Sequence, residues 1–343
     1  MELEISRPGI VVPVPVDPSG LTGPTPGRAR GPHWRASSCG LFVPAHVDRE
    51  DVPQRIVEAV AGAPEGSGAT GWAALHWQNA RWFGGRTTAG DLLPVPLAIG
   101  DSVHLARREG VQLCRDWLFD GDVIRADGLP ITRPERSICV AALRARSLED
   151  TLKVVCMAMA DDLASLAEIR AYAARIKGRP HTRRLNTAIE LADENVWSPM
   201  EVTMMMHWWQ VRPGARLHCN PPVFDLAGNH LLTPDLLDAE AGVVGQYDGL
   251  VHEEKRVRRR DLETEELCRD LGLEVVTMLA ADLRDRSSFD RRLASAYGRT
   301  SGRARHGGWT LDQPHWWMDT STVDARRALD EQDRQIWLRR QVA

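Results

Sequence analysis

Oxygen-bearing side chains recur in one part of the chain with a spacing that suits metal-dependent chemistry. Asp235 follows Pro234 near the end of one apolar run, and Gln246 and Asp248 follow the next run, Val243-Val244. If that second run is a strand, Gln246 and Asp248 lie on the same face, because successive side chains on a strand alternate. Carboxylate and amide oxygens are ligands for hard divalent cations such as Mg²⁺. The spacing therefore predicts a site where a metal polarises a phosphodiester and helps to ionise an attacking water.

The elements expected around this site follow the order helix, three strands, helix, strand. Ser198-Pro199-Met200-Glu201 combines an N-cap serine, a proline at the first helical position and a glutamate at the third, and so predicts a helix start. Strands are expected at 217–224, 230–237 and 243–247, followed by a helix from about 258 to 271 and a strand at 273–279. Glu201 has two interpretations, closure of the capping box or a further acidic ligand. The capping box explains it fully and is favoured.

Basic residues follow the predicted site. The candidate nucleic-acid-binding side chains are Lys255, Arg256, Arg258, Arg259 and Arg260. Such a run is often only a solvated helical face, and neighbouring acidic residues partly neutralise it. Its position beside the site favours phosphate contact as the alternative. His252, just before the run, is interpreted as a general base, a phosphate contact or a surface histidine.

Four motifs carry a resemblance to a known family. In chain order they are Thr233-Pro234-Asp235, then Gly245-Gln246-Tyr247-Asp248-Gly249 with His252, then Asp261, then Leu271-Gly272-Leu273-Glu274-Val275-Val276. Together they make residues 195–297 similar to the PD-(D/E)XK nucleases, in the small form related to very-short-patch-repair endonucleases. The resemblance implies a restriction-endonuclease-like α/β core that hydrolyses DNA with Mg²⁺ or Mn²⁺. It also implies Asp235, Gln246 and Asp248 as metal ligands, and these three with His252 as the catalytic residues.

Two positions depart from the family pattern. Gln246 stands where the family has an acidic residue, and an amide oxygen ligates a metal without adding charge. Thr264 stands where the family often has an arginine. Both departures predict a weakened or lost enzyme, unless Glu240 or Glu253 lies close enough to compensate.

The upstream part of the chain carries a second resemblance. The matching segments include Gly40-Leu41-Phe42-Val43-Pro44-Ala45, Thr70-Gly71-Trp72-Ala73-Ala74-Leu75 and Trp82-Phe83-Gly84-Gly85. They are similar to the region that precedes such nuclease domains in actinobacterial proteins, which is often related to AbiEi-type antitoxins. This resemblance implies DNA as a partner, in defence, repair or toxin-antitoxin regulation, with a partner protein of such a system as a further expectation.

The chain is expected to bury more than one core, because it has 343 residues of which 43% are hydrophobic. Its short apolar runs with turn signals, together with stretches of helical spacing, predict an α/β protein. The predicted parts are an extended arm (1–33), a small mixed α/β domain (34–136), a helical connector (137–194), the nuclease-like domain (195–297) and a Trp-rich tail with a C-terminal helix (298–343). Helix starts are expected at Thr132-Arg133-Pro134-Glu135 and at Ser147 with Asp150.

Composition bears on the location of the protein, on zinc binding and on how it could contact nucleic acid. The sequence has neither an apolar stretch of about 20 residues nor a charged start followed by an apolar run, so a cytoplasmic protein without a membrane segment is expected. The six cysteines are scattered without a C-x-x-C pair, which argues against structural zinc. A net charge of -4 argues against general coating of nucleic acid.

Three functions remain in competition. The first is a metal-dependent endonuclease that is weakened by Gln246. The second is a catalytically inactive nuclease fold that acts as a DNA-binding, antitoxin-like regulator, and Gln246 is the residue that favours it. The third is a protein-interaction module with no role in nucleic-acid binding.

Overall fold

The computed structural model describes residues 3–38, 40–100, 105–115, 118–248, 264–301 and 307–338. The chain clusters into two compact units: unit 1 comprises Met1–Arg146 and Ala167–Asn186, and unit 2 comprises Ser147–Leu166 and Thr187–Ala343. The predicted α/β class is confirmed, since helices and mixed sheets build the described chain. Among the described residues, no helix has the length and apolar character needed to cross a membrane.

The elements are numbered in chain order. The strands are β1 (Val14–Pro15), β2 (Trp34–Ser38), β3 (Leu41–Pro44), β4 (Gly68–Ala69), β5 (Val95–Ala98), β6 (Val111–Cys114), β7 (Val123–Ala126), β8 (Leu129–Thr132), β9 (Leu217–Cys219), β10 (Val223–Asp225), β11 (His230–Leu232), β12 (Leu236–Asp238), β13 (Val243–Asp248), β14 (Glu274–Leu279) and β15 (Trp309–Thr310). The helices are α1 (Val52–Ala61), α2 (Gly71–Trp77), α3 (Pro134–Arg144), α4 (Leu148–Ala160), α5 (Leu166–Arg175), α6 (Thr182–Leu191), α7 (Pro199–Val211), α8 (264–270), α9 (Ser287–Thr300), α10 (Val323–Arg327) and α11 (Glu331–Trp337).

Unit 1 is built on a five-stranded mixed sheet with the strand order β6-β5-β4-β8-β7. Buried residues of α1, α2 and this sheet form its core, including Ile56, Trp77, Leu97 and Ile131. Leu3 belongs to the same core. The N-terminal stretch that was expected to be an extended arm is thus attached to unit 1 by a buried side chain, while β1 pairs with β3 in a separate three-stranded sheet.

Unit 2 is built on a four-stranded sheet with the order β14-β13-β12-β9. β9, β12 and β13 are antiparallel neighbours, and β14 runs parallel to β13. Helix α7 packs on one face so closely that a Cβ at Gly245 would lie 2.6 Å from the ring of Trp208. On the other face, Leu237 and Val244 pack with Cys268 of α8. The sheet is therefore covered on both faces, and its chemistry is expected at the strand ends.

Two of the predicted strands are each divided between two sheets. The stretch 217–224 contains β9 and the start of β10, and 230–237 contains β11 and the start of β12; β10 and β11 pair with β15 in a second sheet. Pro221-Pro222 and Pro234 lie at the breaks, and proline has no N–H to donate to a ladder. The predicted long helix after β13 is described only as α8, over 264–270. In the tail, α10 and α11 replace the single helix that was expected.

Local signals placed most of the helix starts correctly. Ser198 Oγ accepts the N–H of Glu201 at 3.2 Å, and Ser147 Oγ accepts the N–H of Asp150 at 3.0 Å, so both caps are confirmed. The cap predicted at Thr132 is wrong. That residue ends β8, and its hydroxyl donates to Thr70 Oγ1 at 2.8 Å, while Arg133 is the N-cap of α3. The helices of the expected connector are distributed over both units.

Candidate functional site

The candidate site of unit 2 lies where β12 and β13 stop pairing. Leu236 and Gly245 are the last residues that pair there, and Pro234 cannot extend the ladder because it has no N–H. One step beyond the last pair, the side chain of Asp235 replaces a backbone partner. The N–H of Tyr247 donates to Asp235 Oδ2 at 2.6 Å. The Asp235 carboxylate is thus fixed to the strand that carries the other candidate ligands.

Strand alternation places two of the three predicted oxygen ligands, Gln246 and Asp248 of β13, on one face of the sheet. Asp235 would be the next cross-strand neighbour of Gln246, given that Leu236 pairs with Gly245. Gln246 and Asp248 share the face opposite Gly245. Gln246 is partly buried, and Asp248 is exposed at the end of β13. Gln246 and Asp248 therefore share a face of β13, and Asp235 is bonded to the same strand through the Tyr247 N–H; the chemical role of all three stays a prediction.

Several predicted residues lie outside the described part of the chain. These are His252 and the basic residues Lys255, Arg256, Arg258, Arg259 and Arg260, together with Gly249, Glu253 and Asp261 of the surrounding pattern. Their predicted roles remain predictions. Thr264 is partly buried at the first described residue of α8.

Glu240 does not compensate for the missing carboxylate at position 246. It follows the far end of β12, is exposed and forms an ion pair with Arg216 at 3.6 Å. Asp235 precedes the near end of the same strand. At about 3.3 Å per residue, the length of β12 alone separates Glu240 from Asp235 by roughly 10 Å.

Glu201 contributes more to the site than its capping motif indicated. Its side chain is buried, with 5% of its surface exposed. The carboxylate Oε2 accepts the N–H of Trp197 at 2.9 Å and Nδ2 of Asn220 at 2.6 Å. In a capping box this carboxylate would instead accept the N–H of Ser198. Only the serine half of the box is therefore formed as expected, and the carboxylate of Glu201 is held inside unit 2.

Glu201 and Asp235 both have raised pKa values, with burial as the main cause. Burial raises the pKa of Glu201 to about 7, with a further contribution from the negative charge of Asp235. Burial also raises the pKa of Asp235, which the hydrogen bond from the Tyr247 N–H partly offsets. Within the described residues, neither carboxylate forms an ion pair with Lys or Arg. Uncompensated acids with raised pKa values are typical of functional sites.

The donor set fits a hard divalent cation, with less charge than the family pattern would supply. Asp235 and Asp248 bring carboxylates and Gln246 brings an amide oxygen, which are the ligand types that Mg²⁺ and Mn²⁺ prefer. A cation near Asp235 would also offset the charge that raises the pKa of Glu201. In the described ranges, no three His, Cys, Asp or Glu side chains form a group that could hold a metal ion. The oxygen of Gln246 is thus needed to bring the donor set to three.

A cavity of about 760 Å³ opens at the opposite end of the same sheet, with Arg212, Asp238, Tyr297 and Trp309 in its lining. Its buried acid is already satisfied. Tyr297 OH donates to Asp238 Oδ2 at 2.5 Å, and the N–H of Ala241 donates to Asp238 Oδ1 at 2.9 Å. The Asp238 carboxylate is thus hydrogen-bonded within unit 2, in contrast to the raised pKa values at the Asp235 end.

Comparisons of the chain with models of protein families, with curated proteins and with solved structures gave no match. The function of the site is therefore inferred from the residues that form it.

Proposed function

We propose that unit 2 is a metal-dependent DNA endonuclease. Asp235, Gln246 and Asp248 form the site in which it hydrolyses phosphodiester bonds of DNA. The observation that carries the proposal is the closeness of two acids, Asp235 and the buried Glu201, at the open end of β12 and β13. Neither acid has a cationic partner in the described chain. The order of α7, β9, β12, β13, α8 and β14 supports a restriction-endonuclease-like core, since this is the order expected of one.

In this proposal the cation and each residue of the site have separate roles. When bound, Mg²⁺ or Mn²⁺ would polarise the phosphodiester and lower the pKa of the attacking water. Asp235 and Asp248 supply the negative charge that holds the cation, and the Tyr247 N–H orients Asp235 beforehand. Gln246 adds an uncharged oxygen, so the affinity for metal is lower than with glutamate. Glu201 has a pKa of about 7 and can exchange a proton near neutral pH.

Sequence alone supplies the remaining parts of the proposal. His252 would assist the attacking water or the leaving group. Lys255, Arg256, Arg258, Arg259 and Arg260 would contact DNA phosphates, which makes binding depend on salt. The upstream resemblance favours a place in defence, repair or toxin-antitoxin regulation, with a partner protein from such a system.

Gln246 favours a second candidate function. Without a carboxylate at this position, the fold would bind DNA without cutting it and act as an antitoxin-like regulator. The two functions share the DNA-binding surface and differ only in whether the site holds a metal tightly enough for catalysis.

A cleavage assay separates the two candidates. Purified full-length protein is incubated with supercoiled, single-stranded and mismatched DNA and with Mg²⁺ or Mn²⁺, alongside Asp235→Ala, Gln246→Glu and, as a control, the exposed Asp312→Ala. The endonuclease predicts cleavage that Asp235→Ala abolishes, that Asp312→Ala retains and that Gln246→Glu increases. If the wild type is inert and Gln246→Glu cuts, the protein is a decayed nuclease. If both are inert but bind DNA, the regulator is correct, and absence of DNA binding at low salt would contradict both.

A further inference from the structure

Two buried asparagines hold each other next to the candidate site. Asn195 and Asn220 are 6% and 2% exposed. Asn220 Nδ2 donates to the backbone O of Asn195 at 2.7 Å, and Asn195 Nδ2 donates to the backbone O of Asn220 at 3.1 Å and of Cys219 at 2.8 Å. This reciprocal pair, Asn195 with Asn220, is called the asparagine clasp below. It joins the segment before α7 to the end of β9.

The clasp contacts both acidic residues of the site through Asn220. Its Nδ2 donates to Glu201 Oε2 at 2.6 Å, and its backbone N–H donates to the backbone O of Asp235 at 2.9 Å. One residue therefore connects the acid on α7 to the acid that precedes β12. Because like charges in a desolvated place repel each other, these two carboxylates need such a support to stay close.

The backbone of Asn220 is specialised for this position. Its φ of +46° lies in the left-handed region, which asparagine tolerates better than most residues. The residue ends β9 directly after Cys219, and Pro221 follows it. The chain thus leaves the sheet at Asn220, while the N–H of this residue still bonds to the neighbouring segment.

We infer that Asn220, supported by Asn195, is a positioning residue that holds Glu201 and Asp235 together for a divalent cation. The inference rests on the proposed function for the role of the cation. The side chain of Asn220 holds the Glu201 carboxylate by a hydrogen bond at 2.6 Å, and its backbone N–H holds the backbone of Asp235. Groups that orient metal ligands from behind typically change metal affinity 10-fold to 100-fold when removed.

The test compares the same substitution at two left-handed asparagines. Asn220→Gly keeps the backbone conformation and the N–H, and removes only the side-chain donor. Asn79→Gly is the matched control, with φ +67° at the end of α2 in unit 1. Mn²⁺ affinity is measured by electron paramagnetic resonance on the full chain, and hydrogen exchange is followed at the Trp197 and Tyr247 amides.

We expect Asn220→Gly to weaken Mn²⁺ binding about 10-fold or more and to speed exchange at the Trp197 amide, which is bonded to Glu201, more than at the Tyr247 amide, whereas Asn79→Gly matches the wild type. Wild-type Mn²⁺ affinity in a folded Asn220→Gly would overturn it. If Asn220→Gly does not fold, Asn195→Asp replaces it, because this variant loses the donors to residues 219 and 220 but keeps the acceptor for Trp197 Nε1. The same outcomes are expected of it.

A second readout separates failure of the inference from failure of the proposed function. If the wild type binds no Mn²⁺, the metal site is wrong, and exchange of the Trp197 amide, which is bonded to Glu201, decides the clasp. Faster exchange in Asn220→Gly than in Asn79→Gly would support positioning of the acid pair. Equal exchange would overturn it.

Discussion

Unit 1 and unit 2 each place ionisable side chains inside the protein, and they differ in how the charge is balanced. In unit 1, Arg136 and Asp122 are each 1% exposed and their side chains lie 3.4 Å apart. Asp122 also accepts the hydroxyl of Tyr172 at 2.8 Å. In unit 2, Glu201 and Asp235 raise the local negative charge, and within the described chain no Lys or Arg forms an ion pair with either.

This difference in charge balance distinguishes buried ion pairs that stabilise the fold from acids that could bind a ligand. A buried charge is tolerated when it is paired and hydrogen-bonded, and an unpaired one costs stability. Unit 2 also contains a balanced cluster, because Asp162 accepts from Arg326 at 2.6 Å and from Arg334 at 2.8 Å. Within the described residues, Glu201 and Asp235 therefore contrast with this balanced cluster of their own unit, and acids of this kind are typical of functional sites.

The largest loss of unfolding free energy is expected for the buried pair of Arg136 and Asp122 in unit 1. Arg136→Met would leave Asp122 buried without its cation, and breaking a buried pair in this way costs about 3–5 kcal/mol of unfolding free energy. Urea denaturation of the full chain measures the change. Arg133→Met is the control, because Arg133 is half exposed and pairs with Glu135 at the surface, where the loss is about 0–1 kcal/mol. Similar losses in both variants would remove the distinction between the clusters.

Glu201→Gln is expected to raise the free energy of unfolding at pH 8 and so to stabilise the protein. The pKa of Glu201 rises from 4.5 to about 7 on folding, so the folded state binds the proton more tightly. Stability is then lost as the pH rises from 4.5 through 7, because the carboxylate must ionise while buried. A shift of this size corresponds to about 3 kcal/mol at pH 8 and much less at pH 5.

Unfolding midpoints between pH 5 and pH 8 test this prediction. The wild type should lose stability across the window relative to Glu201→Gln. Glu190→Gln, on the exposed surface of α6, should follow the wild type. Parallel curves for the wild type and Glu201→Gln would show that Glu201 is not an uncompensated acid.

A smaller effect is expected from divalent cations. Mg²⁺ that binds only the folded site stabilises it by about 2.7 kcal/mol at a concentration 100 times the dissociation constant. Thermal unfolding in Mg²⁺, against a monovalent salt of equal ionic strength, should show stabilisation of the wild type and none of Asp235→Ala. Equal stabilisation of both would place the cation elsewhere on the chain.

Sequence reasoning located the parts of the site that depend on local geometry. Gln246 and Asp248 share a face because strands alternate, and Ser198 caps α7 because a serine before proline is suited to that position. The α/β class followed from the same kind of pattern. Each of these depends on residues within a few positions of one another, so the sequence shows them directly.

The features that were missed depend on contacts between distant segments. Thr132 matched a capping motif, but its hydroxyl donates a hydrogen bond to Thr70, 62 residues away. Glu201 is buried and accepts a hydrogen bond from Asn220, 19 residues downstream. The division of one predicted strand into β9 and β10 depends on β15, far along the chain, as a pairing partner. Prolines at 221, 222 and 234 are the local signal for these breaks.

The most direct test of the uncompensated acid pair is a Mn²⁺ titration of the wild type, Asp235→Ala and Gln246→Glu, followed by electron paramagnetic resonance at pH 7.5. A metal site built on Asp235 predicts one saturable site in the wild type, its loss in Asp235→Ala and at least tenfold tighter binding in Gln246→Glu, which is a gain of about 1.4 kcal/mol. No binding by either the wild type or Gln246→Glu, or binding that survives Asp235→Ala unchanged, would contradict it.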